Sequence, residues 1–150
     1  MPRKRVPDDL PVIAVYGTLR RGQRNHPLLR LATFLGTGRI QGAIHDVPRT
    51  PFRPYPYPAL VDGGPGDVHV ELYRLTGLEM LARLDALERF DPDDVESSQY
   101  VRIQVRVAGG PVERAWAYAF RGPESELGEH VAGGDWVAFT RRDLGGSGNG

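Results

Sequence analysis

Glu88 stands where a core-facing carboxyl could do acid/base work. Projected at about 100° per residue, residues 78–90 gather Met80, Leu81, Leu84 and Leu87 on one side of a helix, with Leu78 at its margin. Glu79, Arg83, Asp85 and Arg89 fall outside the centre of that side and are expected in solvent. Glu88 follows Leu81 by seven residues and Leu84 by four, so it projects between those leucines. A carboxylate facing a core costs several kcal/mol unless it is paired or protonated. Three readings meet that cost. The helix end frays and Glu88 turns to water; Glu88 pairs with a buried arginine; or it is a catalytic carboxyl in a cavity, its proton affinity tuned by partial burial. The helical pattern leaves all three open.

The second chemical candidate is the stretch Tyr16-Gly17-Thr18-Leu19-Arg20-Arg21-Gly22. Gly17 can take backbone angles closed to other residues and lets a ligand approach the main chain. Successive N–H groups in such a turn form a nest suited to a carboxylate. An ordinary turn explains the same residues equally well.

The elements that must hold these groups follow from pattern. Val12 to Tyr16 is a short β-branched run that stops at Gly17, a buried strand entering a turn. Asn25 to Thr33 reads as a short helix or turn with Leu28, Leu29 and Leu31 as its apolar face. Thr37 to Val47 fits a strand, its glycines at 38 and 42 (with Gly36 just before it) marking close backbone approaches. Pro48, Pro51, Pro54, Pro56 and Pro58 make 48–58 a loop or polyproline II segment. Ala59 to Val61 is a short strand candidate, and Val68 to Leu75 alternates with Val68, Val70 and Leu72 on one face. Thr76 to Phe90 is the main helix, with Thr76 and Glu79 as a capping box and Asp91-Pro92 as its stop. Tyr100 to Val107 and Val112 to Phe120 form a hairpin across Gly109-Gly110, and Trp136 to Phe139 is a short terminal element. The class is α+β: a mixed curled sheet or small barrel packed with one main helix.

Composition narrows the chemistry. The 150 residues allow one domain with its own core, expected over 11–140 with flexible ends at 1–10 and 141–150. Lys plus Arg and Asp plus Glu number 19 each, so the basic surplus of a nucleic-acid binder is missing. Residues 6–10 form no apolar signal region and no stretch reaches the roughly 20 apolar residues of a membrane span, so a cytoplasmic location without membrane partners is expected. There is no cysteine, which removes thiol catalysis, zinc–thiolate sites and disulfides. His26, His45, His69 and His130 are scattered without metal-ligand spacing, so neither metal nor cofactor is expected.

Taken together, the motifs resemble those of the γ-glutamylcyclotransferase-like superfamily, including its AIG2-like and butirosin-pathway branches. Val15-Tyr16-Gly17-Thr18-Leu19 is similar to the family's Tyr-Gly-Ser/Thr-Leu signature, and Leu84-Asp85-Ala86-Leu87-Glu88 to its Leu-Asp-x-x-Glu helix end. Asn25 to Leu29, Tyr57 to Val61, Tyr100-Val101-Arg102 and Gly134-Asp135-Trp136 follow in the family's order. The resemblance implies Glu88 as the catalytic acid/base and the turn Tyr16, Gly17, Thr18 and Leu19 as the cradle for the α-carboxylate and α-amino end of a γ-glutamyl group. It also implies Tyr100 and Tyr118 as pocket aromatics; each could equally be a half-buried strand residue. Arg89 stands where many relatives carry glycine, Val70 where a glycine often precedes Glu71, and Asp91, Asp93, Asp94 and Glu96 lengthen the step to Tyr100.

The implied reaction cyclises a γ-glutamyl amine or amino acid to 5-oxoproline and releases the attached amine, with a small γ-glutamyl compound as the partner. Two other readings remain: a non-catalytic ligand- or protein-binding module on the same fold, and a peptide-binding surface on the proline-rich loop using Phe52, Tyr55 and Tyr57.

Overall fold

The computed structural model describes residues 10–47, 57–64 and 66–140. The two chain ends expected to be flexible and most of the proline-rich loop, with Phe52 and Tyr55, lie outside the described residues. Among the described residues there are six strands: β1 (Val12–Val15), β2 (Thr33–Val47), β3 (Tyr57–Asp62), β4 (Gly66–Arg74), β5 (Tyr100–Ala108) and β6 (Arg114–Phe120). Their order in the sheet is β3-β2-β4-β1-β6-β5. β5 then returns to pair with β2 at Arg39↔Ala108 and Ile40↔Val107. This pairing closes five strands into a small barrel and leaves β3 alongside β2. β1 runs parallel to β6 and the other neighbours are antiparallel, so the sheet is mixed.

Closure depends on β2, which is 15 residues long and starts four residues earlier than its alternation indicates. A register shift between Phe34 and Gly36 bends it. At Gly38 a Cβ would lie 2.7 Å from Val107 Cγ1, so the bare glycine is what lets β5 approach.

The strands alternate as their sequences require. Ala14, Val68, Val70, Leu72, Val105 and Val107 point into the barrel, where β6 contributes only Ala115, Ala117 and Ala119. The opposite faces of β1, β4, β5 and β6 supply Ile13, Val15, Tyr73, Tyr100 and Tyr118 to a second apolar layer, which α1 (Leu78–Leu87) covers with Met80, Leu81 and Leu84.

Three local expectations are corrected. Gly77 occupies the N-cap of α1 with no side-chain cap hydrogen bond, which leaves Thr76 one residue too far back for the expected capping box. The segment after the turn is a short 3-10 helix, His26–Leu29, that buries only Leu29; Leu28 and Leu31 are exposed. Asp85, expected in solvent, is buried.

Candidate active site

Strand β1 delivers the chain into a cleft lined by Ala14 to Leu19, Tyr57, Pro58, Glu88 and Tyr118. The turn and the helix end, separated by about 70 residues of sequence, thus face one space. The cleft together with its open mouth holds about 350 Å³ of empty space. A larger hollow of about 730 Å³ lies against Arg39, Asp67, His69 and His130. These four side chains are all exposed. His130 of this lining meets His45, far from it in sequence, with ring centroids 5.2 Å apart and planes tilted by 48°. Among the described residues no group of three or more His, Cys, Asp or Glu side chains could hold a metal ion.

The turn presents donors. Its carbonyls are engaged: Gly17 O accepts from Arg20 N at 3.0 Å, Thr18 O from Asn25 N at 2.8 Å, and Leu19 O lies 2.9 Å from His26 Nδ1. The amides of Gly17, Thr18 and Leu19 donate to no protein acceptor among the described residues. Gly17 is needed for a different reason than the one its sequence context indicated. Its φ is not positive; instead a Cβ would run into the Pro58 ring, with Cδ at 2.7 Å.

Side chains that could have gripped a carboxylate are occupied elsewhere. Thr18 Oγ1 accepts from Asn25 Nδ2 at 2.9 Å. Arg20 turns away from the cleft lining to bridge Glu71 on β4 (3.3 Å) and Asp135 (2.8 Å), just before the helical residues 136–140. Glu71 also accepts from the Arg21 amide and the Tyr73 hydroxyl, both at 2.9 Å. Burial and Glu71 together push the Tyr73 phenol to about 12. Burial raises the Asp135 carboxyl, but the Ala138 amide and Arg20 pull it down further, leaving it below its usual range.

Glu88 is the C-cap of α1 and half-buried. Its amide still donates to Leu84 O at 3.0 Å, which excludes the frayed-end reading. Beyond it, Arg89 N donates to Ala86 O and Phe90 N to Asp85 O, with Arg89 at φ 57°. This is the Schellman motif, whose left-handed position is normally glycine.

A buried carboxylate–arginine pair, the kind of partnership considered for Glu88, is made by Asp85. Arg102 Nη1 reaches both Asp85 oxygens at 2.6 and 2.5 Å, and the Tyr118 hydroxyl donates to Asp85 Oδ1 at 2.6 Å. Burial, Asp85 and Glu88 hold the Tyr118 phenol far above its ordinary value, against the pull of Arg102. The helical projection put Asp85 at the flank of the apolar face, and nothing local signals partners on β5 and β6.

The remaining tyrosines are placed less directly. Tyr16 lines the cleft, but its hydroxyl donates to Tyr118 O at 2.6 Å and accepts from Leu60 N at 3.2 Å. Tyr100 does not line the cleft, a correction to the expected pocket aromatic. It is wholly buried, because its hydroxyl is drawn to Pro58 O at 2.9 Å behind the wall. Tyr57, expected as a loop-surface aromatic and as the start of a family motif, lines the cleft, and its hydroxyl accepts from Gln99 Nε2 at 2.7 Å.

Fold and site together define a small closed-barrel protein with a cleft between an amide-lined turn and a carboxylate-bearing helix end. Residues 13–138 match the family described as gamma-glutamyl cyclotransferase, AIG2-like. A Vibrio cholerae protein named "Putative gamma-glutamylcyclotransferase" is 33% identical over 127 residues, covering 83% of this chain and 94% of that one. The solution structure of protein ytfP from Escherichia coli is 31% identical with a TM-score of 0.58, covering 84% of this chain and 96% of that one. The crystal structure of an AIG2-like protein from Mus musculus is 29% identical with a TM-score of 0.55, covering 80% and 85%. The chain belongs to the γ-glutamyl cyclotransferase, AIG2-like family.

Proposed function

We propose that the protein cyclises γ-glutamyl amines or amino acids to 5-oxoproline, with Glu88 as general acid/base. The observation that carries this reading is the meeting of Glu88 and three unbonded amides in one cleft of a family member. The amides of Gly17, Thr18 and Leu19 receive the α-carboxylate, which fixes the glutamyl chain at one end. Folding the chain back brings its own nitrogen to the γ-carbonyl carbon, and the reaction gains the effective molarity of an intramolecular attack.

Glu88 takes a proton from the α-ammonium, and the freed nitrogen attacks the γ-carbonyl carbon to close a five-membered ring. As the bond to the leaving nitrogen breaks, Glu88 returns a proton to that nitrogen. The second proton lost by the ring nitrogen passes to solvent. No protein nucleophile is required. The test is 5-oxoproline release from a panel of γ-glutamyl amino acids and amines, run on the wild type and on Glu88→Gln. At least one substrate should turn over, and the Glu88→Gln chain should fold normally yet lose nearly all turnover. A folded Glu88→Gln protein with wild-type rates would refute the assignment.

A further inference from the structure

We propose that Glu71 is a positioning residue for the amide cradle, clamping residues 20–21 so that the amides of Gly17, Thr18 and Leu19 keep one orientation. The inference rests on the γ-glutamyl reading and concerns how that site receives the substrate's α-carboxylate. Glu71 does not line the cleft. It lies on β4 opposite Val15, the last residue of β1, and so beside the point where the chain leaves the sheet for the turn. Val70 and Leu72 on either side of it point into the barrel, which puts Glu71 on the outer face with Tyr73.

Glu71 is buried, and a buried carboxylate is costly unless donors satisfy it. Three do, and two of them belong to the chain just beyond the cradle. Oε1 accepts from the Arg21 amide and the Tyr73 hydroxyl, both at 2.9 Å, and Oε2 accepts from Arg20 Nε at 3.3 Å. Arg20 Nη1 continues to Asp135 Oδ1 at 2.8 Å, so this side chain is held by two carboxylates. A buried ion pair is weak support for stability, since apolar side chains of similar volume often replace it without loss. What it supplies here is direction. Leu19 packs in the apolar layer, but apolar contacts are non-directional. Arg20 N closes the turn on Gly17 O, so a clamp on residues 20–21 is passed back to the amides ahead of it. The cradle's other bonds run to Asn25 and His26, in the segment that follows it; Glu71 ties it to the sheet.

The experiment compares two ligands that differ only in the α-carboxylate: L-glutamine and 4-aminobutanamide, the same chain without it. Their affinities are measured by titration calorimetry on the wild type, Glu71→Leu and Glu71→Gln, with folding checked by thermal melts. The wild type should prefer L-glutamine by about tenfold or more, as expected for hydrogen bonds to a charged group. Glu71→Leu should bring the two affinities within about threefold of each other and leave 4-aminobutanamide binding within about twofold of wild type. Glu71→Gln keeps an oxygen for the Arg21 amide and the Tyr73 hydroxyl, so it should retain most of the preference. If Glu71→Leu does not fold, Glu71→Asp, which keeps the charge but withdraws it by one methylene, should show the same selective loss. The proposal is overturned by a wild type that binds both ligands alike, or by a preserved preference in the folded Leu or Asp variant. An equal loss for both ligands, or a loss in Glu71→Gln as complete as in Glu71→Leu, overturns it as well. Each of these leaves the cyclisation standing where the wild type releases 5-oxoproline. If no γ-glutamyl compound yields 5-oxoproline and neither ligand binds, the underlying reading and this proposal fall together.

Discussion

Replacing Asp85 by alanine tests whether the charges under α1 form a buried network. The side chains of Asp85 and Arg102 are 12% and 19% exposed, and Nε of Arg102 is buried without a partner. Removing one member of a buried pair costs about 3–5 kcal/mol, because the other charge is left uncompensated. The residual exposure of Arg102 places the cost near the lower end, about 3 kcal/mol. Tyr118, 3% exposed, loses the acceptor of its hydroxyl, which adds about 1 kcal/mol. The sum, about 4 kcal/mol, corresponds to a fall in Tm of about 12 °C for a domain of this size. Urea unfolding and thermal melts of Asp85→Ala measure it directly. Asp85→Leu combined with Arg102→Met removes both charges and should recover most of the loss. A double-mutant cycle on the pair should give a coupling of about 2 kcal/mol or more. If Asp85→Ala stays within about 1 kcal/mol of wild type, the pair behaves like an exposed salt bridge, and the burial argument is wrong.

Gly17→Val forces a side chain into the Pro58 ring, so it should abolish binding of L-glutamine. Thr18→Ser, which keeps the oxygen that Asn25 contacts, should change affinity less than about threefold; the reverse ranking would show that side chains, not amides, hold the ligand. Asp135, whose carboxyl is depressed on folding, contributes stability that is present above its unfolded value of about 3.9 and lost as pH falls through the folded value. Asp135→Asn should flatten that acid limb of the stability profile, and an unaltered limb would place the titration elsewhere. Arg89→Gly relieves about 1 kcal/mol of left-handed strain but loosens the unfolded chain, leaving about 0.5 kcal/mol of net stabilisation. A loss of stability in urea would show that the Arg89 side chain contributes more than its backbone costs.

What could be read from the sequence was whatever repeats locally. Alternation gave the two faces of β4, and spacing from Leu81 and Leu84 put Glu88 on the inner side of its helix. The same projection misplaced Asp85, because its burial is decided by Arg102 and Tyr118, which lie 17 and 33 residues further on. Gly17 was singled out for its backbone angles, whereas its steric constraint comes from Pro58, a residue on another strand. Tyr100 shows the same limit. A tyrosine at a strand start can line a pocket or brace its wall, and only the tertiary position of Pro58 O settles which. Barrel closure was left open beside a curled sheet, since pairing β5 with β2 depends on the approach at Gly38.

The helix end explains how one carboxyl can serve two nitrogens. In the proposed reaction Glu88 must first face the ammonium and then the leaving nitrogen, which are different atoms of one bound substrate. Its backbone cannot move to do this. The amide of Glu88 is tied to Leu84, the next two amides close the Schellman motif, and Gln99 N donates to Arg89 O at 3.2 Å. Motion is therefore confined to side-chain torsions, whose staggered wells interconvert without disturbing the fold. A glutamate meets this need better than an aspartate, since its extra torsion sweeps the carboxyl across the cleft from a fixed Cα. The left-handed backbone at Arg89 is the local cost of ending the helix at the residue to which the proposed reaction assigns the chemistry. In the proposed reaction the three amides of the turn hold the other end of the substrate still while the carboxyl moves.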